Sequence, residues 1–296
     1  MHAGILIAIG TGLLWTVIGI IMSYCSRSKM DFLSYYAANT LFTAILTMAV
    51  YVHWNVVACG QVMQPLPLAA FILGSGIANA AGLTVMQSAM KSGHNGIIWA
   101  IGQSALIIPF LCGTLLFGEH GSALTFAGVG MIILGMLLPS FLSKRGDADT
   151  AKRTWLTLTF AAFILFGIGQ TLQSVPSYWH GWSDNANIRP TLGTAGALAG
   201  AILLSAFRGK LPLPDRRTLL LALGMAVLNT VSVKLFYVSL DMLSMHGMAS
   251  ICFPLIVGSC IIGFSLYSLF VLREKSRWFN WFGLAATIIG IIALSR

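Results

Sequence analysis

Besides serine and threonine hydroxyls, three kinds of side chain in the long apolar runs of this chain could do chemistry. Amides stand at Asn39, Asn79, Gln87, Gln103, Gln170, Gln173 and Asn229, a lone cation at Lys234, and aromatic rings at Trp15, Trp99 and Tyr237. Trp99 and Gln103 are four residues apart, and Asn229 leads through Val233 to Tyr237 at the same spacing, so on a helix an amide and a ring share one face or nearly so. An amide reads hydroxyl groups and a ring stacks on a flat apolar side, which is the chemistry of a small polar-solute site. Interhelical hydrogen bonding, worth about 0.6 kcal/mol per amide in a bilayer, is the competing reading for each of them. Lys234 has Asp241 seven residues later on roughly the same face. It either extends outward toward Asp241 and the membrane interface, or sits in a cavity where it fixes a hydroxylated or anionic solute or exchanges a proton. His94 and His246 hold matching places before two apolar spans, where imidazole could couple a gate to protons or simply be solvated. Pro109 and Pro254 fall well inside apolar runs, where each frees a carbonyl and bends a helix, as a hinge or as a static kink.

The elements that must position these residues follow from composition. The 296 residues are 57% hydrophobic and 8% charged, with a mean hydropathy of +0.86, against roughly 25% charged in an ordinary soluble domain. Apolar runs of this length recur throughout, and in lipid the backbone must satisfy its own hydrogen bonds, so the runs are expected to be helices. The fold class is therefore an all-α membrane protein. The spacing predicts ten transmembrane helices, at 3–23, 33–52, 66–90, 97–117, 122–142, 155–175, 191–207, 218–240, 247–272 and 278–295. A hydrophilic break divides them into a first five-helix repeat, 1–143, a cytoplasmic linker, 144–154, and a second five-helix repeat, 155–296. Five crossings per half make the two repeats inverted, with the solute site expected near the midplane between them.

Charge sets the orientation. Of the 17 Lys and Arg residues, fourteen fall in connections on one side and only Arg189 and Arg296 on the other. The positive-inside rule places the fourteen in the cytoplasm and both termini outside, in an inner or plasma membrane. The formal charge of +9 is thus a topology signal and not the footprint of a nucleic-acid binder. Pro176 to Pro190, with Tyr178, Trp179, His180, Trp182 and Asp184, reads as an outer aromatic belt or a lid. The five cysteines show no paired spacing. There is no phosphate-binding Gly-x4-Gly-Lys-Ser/Thr loop, no His-Glu-x2-His run and no Gly-x-Ser-x-Gly elbow. No enzyme activity, cofactor or metal is expected; the partners are lipid, a small polar solute and a coupling ion such as the proton, with a homodimer possible.

Glu119 and Glu274, Gly128 and Gly283, and Gly135 and Gly290 are each 155 residues apart, which marks an internal duplication. Small residues at Ala70, Gly74, Ala78 and Gly82, and at Gly193, Gly196 and Gly200, should let helix backbones approach closely. With its acidic residue followed by a glycine-bearing helix once per half, the chain resembles the ten-helix, EamA-like drug/metabolite transporter superfamily. Gly10 to Phe42, with Gly12, Trp15, Ser26-Arg27-Ser28-Lys29 and Tyr35, is similar to its sugar-uptake branch, typified by the rhamnose-proton symporter. The resemblance implies a gradient-driven carrier, first of all sugar uptake by proton symport. Alternatives are an exporter of amino acids, amines or other metabolites on the same scaffold, and a membrane receptor or structural protein without transport.

Overall fold

The computed structural model describes residues 1–28, 30–53, 60, 62, 64–92, 95–119, 121–142, 151–179, 187–209, 213–271 and 278–294, and among them it is helical with no strand. His94 lies outside the described residues. The helices are α1 (His2–Arg27), α2 (Phe32–Tyr51), α3 (Pro65–Met90), α4 (Asn95–Gln103), α5 (Ile107–Leu116), α6 (Ala123–Leu142), α7 (Ala151–Ser174), α8 (Arg189–Phe207), α9 (Arg216–Ser244), α10 (Cys252–Phe270) and α11 (Trp278–Leu294). Among the described residues eight segments are long and apolar enough to cross a membrane, and Ala123–Gly135 and Trp281–Leu294 are shorter apolar helices. The chain is a multi-spanning all-α membrane protein.

Its surface is the reverse of a soluble bundle. Leu220, Leu223, Val227 and Val231 of α9 stand exposed in one stripe, as do Leu13 on α1 and Ile164 and Ile168 on α7. The buried side carries hydroxyls instead: Thr11, Thr43, Thr84, Thr159, Thr230, Ser259 and Thr287 each donate to the carbonyl four residues earlier. In a bilayer this arrangement satisfies polar atoms within their own helix and leaves hydrocarbon facing lipid.

The two halves interlock. The principal pairings are α6 with α11, α3 with α7 and α8, α1 with α10 and α9, and α2 with α8 and α9, all joining the first half of the chain to the second. Close approach comes from small residues, both the glycines that mark the duplication and those expected at helix contacts. A Cβ on Gly290 would stand 2.6 Å from the carbonyl oxygen of Gly128, and one on Gly135 2.5 Å from that of Gly283, so the glycines repeated in the sequence meet each other in an antiparallel contact. Gly74 and Gly82 face Leu172 and Phe166 of α7, while Gly196 and Gly200 seat on Leu73, Ile77 and Ala80 of α3.

Two expectations about helix bends come out differently. A 3-10 turn, Ser104–Leu106, separates α4 from α5, one turn before Pro109, where the proline leaves the carbonyl of Ala105 without its helical donor. Pro254 is only the third residue of α10, after a second 3-10 turn at Ala249–Ile251. Pro109 is likewise the third residue of α5, so both prolines follow a 3-10 turn at the same offset. They differ in what comes before: α4 precedes the first turn and puts Pro109 inside its span, whereas Pro254 lies near the start of its own, where a proline is readily accommodated.

Glu119 bridges the halves at the other end of that repeated pattern. Its carboxylate accepts from the backbone N–H of Ser250 at 3.2 and 3.0 Å, capping the start of the turn that leads into α10. A negative group at a helix N-terminus satisfies an orphan donor and meets the positive end of the dipole. Glu119→Gln should cost about 1 kcal/mol of stability, read as a small fall in unfolding temperature of the purified protein with solute binding unchanged.

The helix ends define two faces. Met1 places its amino group 3.5 Å from Nε2 of His246, which fixes the N-terminus and the α9–α10 connection at one face. At the opposite face Arg217 donates to the hydroxyl of Tyr24 at 2.8 Å. There Asp31 caps α2 through Ser34 N–H and Asp215 caps α9 through Thr218 N–H, each at 3.0 Å. Hydrogen bonds from Thr218 hold the exposed Asp215 carboxyl below the usual carboxylate range.

Candidate functional site

Near the first face, where α7, α8 and α9 converge, the protein buries a charged network. Arg189, the first residue of α8, is 0% exposed and is the largest fully buried side chain among the described residues. One of its Nη atoms donates to the carbonyl of Gln173 at 3.0 Å and to Oγ of Ser177 at 2.9 Å. The other lies 3.8 Å from a carboxylate oxygen of Asp241, and the guanidinium sits 4.7 Å from the ring centroid of Tyr237. Gln173 in turn donates to the Tyr237 hydroxyl at 3.2 Å. An ion pair, a cation-π contact and an amide thus close one network across three helices. In a span-length environment such a pair is retained only where geometry and hydrogen bonds offset its desolvation.

This corrects the reading of Arg189 as one of two basic residues in outer connections. The signal that could have found it is Pro190. Proline favours the first turn of a helix, which moves the helix start back to position 189 and leaves an arginine at the positive end of a dipole, unfavourable unless an acid faces it. Asp241, expected beside Lys234, is that acid. Lys234 instead donates to Oδ1 of Asn187 at 2.5 Å and lies 5.2 Å from the ring centroid of Tyr51, the last residue of α2.

Aromatic rings pack in the core around Tyr237 and in a second cluster at Trp99. Trp15 stacks on Phe236 with centroids 5.8 Å apart, and Phe236 meets Tyr237 edge-on at 4.9 Å. Trp99 is buried and stacks on Phe264 at 5.8 Å, and its Nε1 has no hydrogen-bond partner. Nε2 of Gln87 and Oε1 of Gln170 are likewise buried and unpartnered. Gln103 is half-buried at the end of α4, where the 3-10 turn begins.

The remaining sequence candidates lie apart from the network. Asn229 donates to Oδ1 of Asn39 at 2.6 Å, and Asn39 donates to the carbonyl of Ala222 at 3.1 Å, so both amides are spent on joining α2 to α9. Asn229→Ala should lower stability by about 0.6 kcal/mol, seen in thermal unfolding, and leave solute affinity untouched. Asn79 is exposed on α3. His246 is exposed, with Nδ1 2.9 Å from the carbonyl of Met242, which places it at a solvated helix end. At the opposite face a cavity of about 370 Å³ opens among Tyr24, Met30, Asp31, Ser34, Asp215 and Arg217. Among the described residues no group of His, Cys, Asp and Glu is arranged to hold a metal ion.

No family model matches the chain. No curated protein matches it either. Seventeen chains of solved structures do. One, described only as a crystal structure of a protein, superposes with a TM-score of 0.69 over 98% of this chain and 97% of that one, at 14% sequence identity. At that identity the likeness is one of fold: a multi-spanning helical architecture matched from end to end.

Proposed function

We propose that the protein is a secondary active transporter of a small polar organic solute, with sugar uptake by proton symport as the first choice. The observation that carries this reading is the buried Arg189–Asp241–Tyr237–Gln173 network. Polar groups inside spans are expensive and mark solute and ion paths, and here Tyr237 of the network meets Phe236, which stacks on Trp15. Asp241 is the group to carry a coupling proton: protonated, it no longer neutralises Arg189, which then turns to the solute.

Ten crossings arranged as two inverted five-helix repeats supply the frame. Adding five crossings to the pairing of α3 with α7 gives that of α9 with α1, and the same step turns α3 with α8 into α9 with α2. The Gly128–Gly290 and Gly135–Gly283 contacts exchange under the same operation, as a two-fold relation requires. Alternating access would rock the halves between the network near the Met1 face and the cavity at the opposite face. In an inner or plasma membrane, the positive-inside rule puts Met1 and His246 outside. The drug/metabolite transporter superfamily is the family proposed.

Purified protein in liposomes tests the reading. Uptake of labelled sugar that collapses with an uncoupler supports it. Efflux of amino acids or amines without sugar uptake would favour an exporter, and absence of flux with any solute pool would leave a receptor or structural protein.

A further inference from the structure

Lys234 is the part of the site that the Arg189–Asp241 pair leaves unexplained. Its side chain extends to the level where α2 ends and α8 begins, meeting Asn187 in the turn before α8 and Tyr51, the last residue of α2. Both groups that hold its ammonium, the Asn187 amide oxygen and the Tyr51 ring, are neutral. Among the described residues the carboxylate acting on it is Asp241, and that carboxylate is already the ion-pair partner of Arg189. Tyr51 is itself fixed, its hydroxyl donating to the carbonyl of Thr230 at 3.4 Å. The result is a preformed cation, half-buried at the junction of α2, the start of α8 and α9, whose nearest partner is an amide that can turn. An asparagine that gives up its oxygen contact presents its NH2 donors to the same point, so an incoming anion gains both the ammonium and the amide.

We infer that Lys234, Asn187 and Tyr51 form a subsite for a carboxylate carried by the solute, which narrows the solute of the proposed carrier to a sugar acid or another small hydroxylated organic acid. This rests on the carrier reading. A single ammonium matches a monoanion; a phosphate dianion would leave charge uncompensated in a half-buried site. The hydroxyls of the acid would extend toward the Tyr237 and Gln173 end of the network, with the rings of Tyr51 and Tyr237 at either side.

The test pairs acids with their neutral counterparts in liposomes, each read as uptake above that of protein-free vesicles: labelled D-glucuronate with D-glucose, glycerate with glycerol, and lactate with propane-1,2-diol. At least one acid is expected to enter ten times faster than its partner. Lys234→Met should abolish that preference. Asn187→Asp keeps Lys234 in place but occupies it with a built-in carboxylate, so it should cut acid uptake tenfold or more with the unfolding temperature held or raised, which keeps the result readable if the methionine variant folds poorly. Lys234→Arg should retain part of the preference. Neutral solutes entering as fast as their acids, or a folded Asn187→Asp protein that keeps the wild-type preference, overturns the inference while the carrier stands. No uptake of any member of any pair overturns both.

Discussion

Arg189→Met should destabilise the protein by about 3–5 kcal/mol, the cost of leaving a buried carboxylate without its partner. The substitution removes the ion pair to Asp241, the donors to Gln173 and Ser177, and the cation over Tyr237 in one step. The double variant Arg189→Met/Asp241→Asn should recover most of that loss, because two neutral side chains have no uncompensated charge to hide. Thermal unfolding of the four proteins of this cycle gives the coupling directly. The double variant should fold and still fail to transport, since the groups proposed to meet solute and proton are gone. If Arg189→Met melts with the wild type, the network does not hold α7, α8 and α9 together.

The second large effect belongs to the glycine seams. A Cβ at Gly196 would fall on the carbonyl oxygen of Leu73 and within 2.8 Å of its Cα, and backbone atoms of a packed helix cannot step aside. Gly196→Leu should therefore separate α3 from α8 and cost more than the roughly 1–3 kcal/mol usual for overpacking, seen as loss of the folded monodisperse species on size exclusion. Gly224 is the control. It lies in α9, and a Cβ added there would meet nothing within 4 Å, so Gly224→Ala should be neutral or stabilise by about 0.5–1 kcal/mol, the helix preference for alanine. Equal behaviour of the two variants would show that the seams tolerate separation.

Some of this was legible in the sequence for a clear reason. Hydropathy reports which solvent a segment faces, and a small-residue stripe reports where a neighbour comes close. Both are properties of one helix read alone, and so the membrane class, the interfaces at Gly74, Gly82, Gly196 and Gly200, and the repeated glycines of α6 and α11 could be anticipated.

Partners are a different matter. The same periodicity that puts an amide on an inner face cannot say whether it meets a solute or another amide, and only the approach of α2 to α9 joined Asn229 to Asn39. Pro254 looked mid-span because an apolar run does not show where helical hydrogen bonding begins. Arg189 looked like a loop residue because a charge at the end of an apolar run reads as exposed to water, whereas the fold surrounds it with Gln173, Ser177, Tyr237 and Asp241. The sequence by itself determined the solvent, the helices and the surfaces that touch. Which charge finds which partner was decided by the tertiary structure, because burial of a charge depends on groups contributed by other helices, and those meet only when the halves interlock.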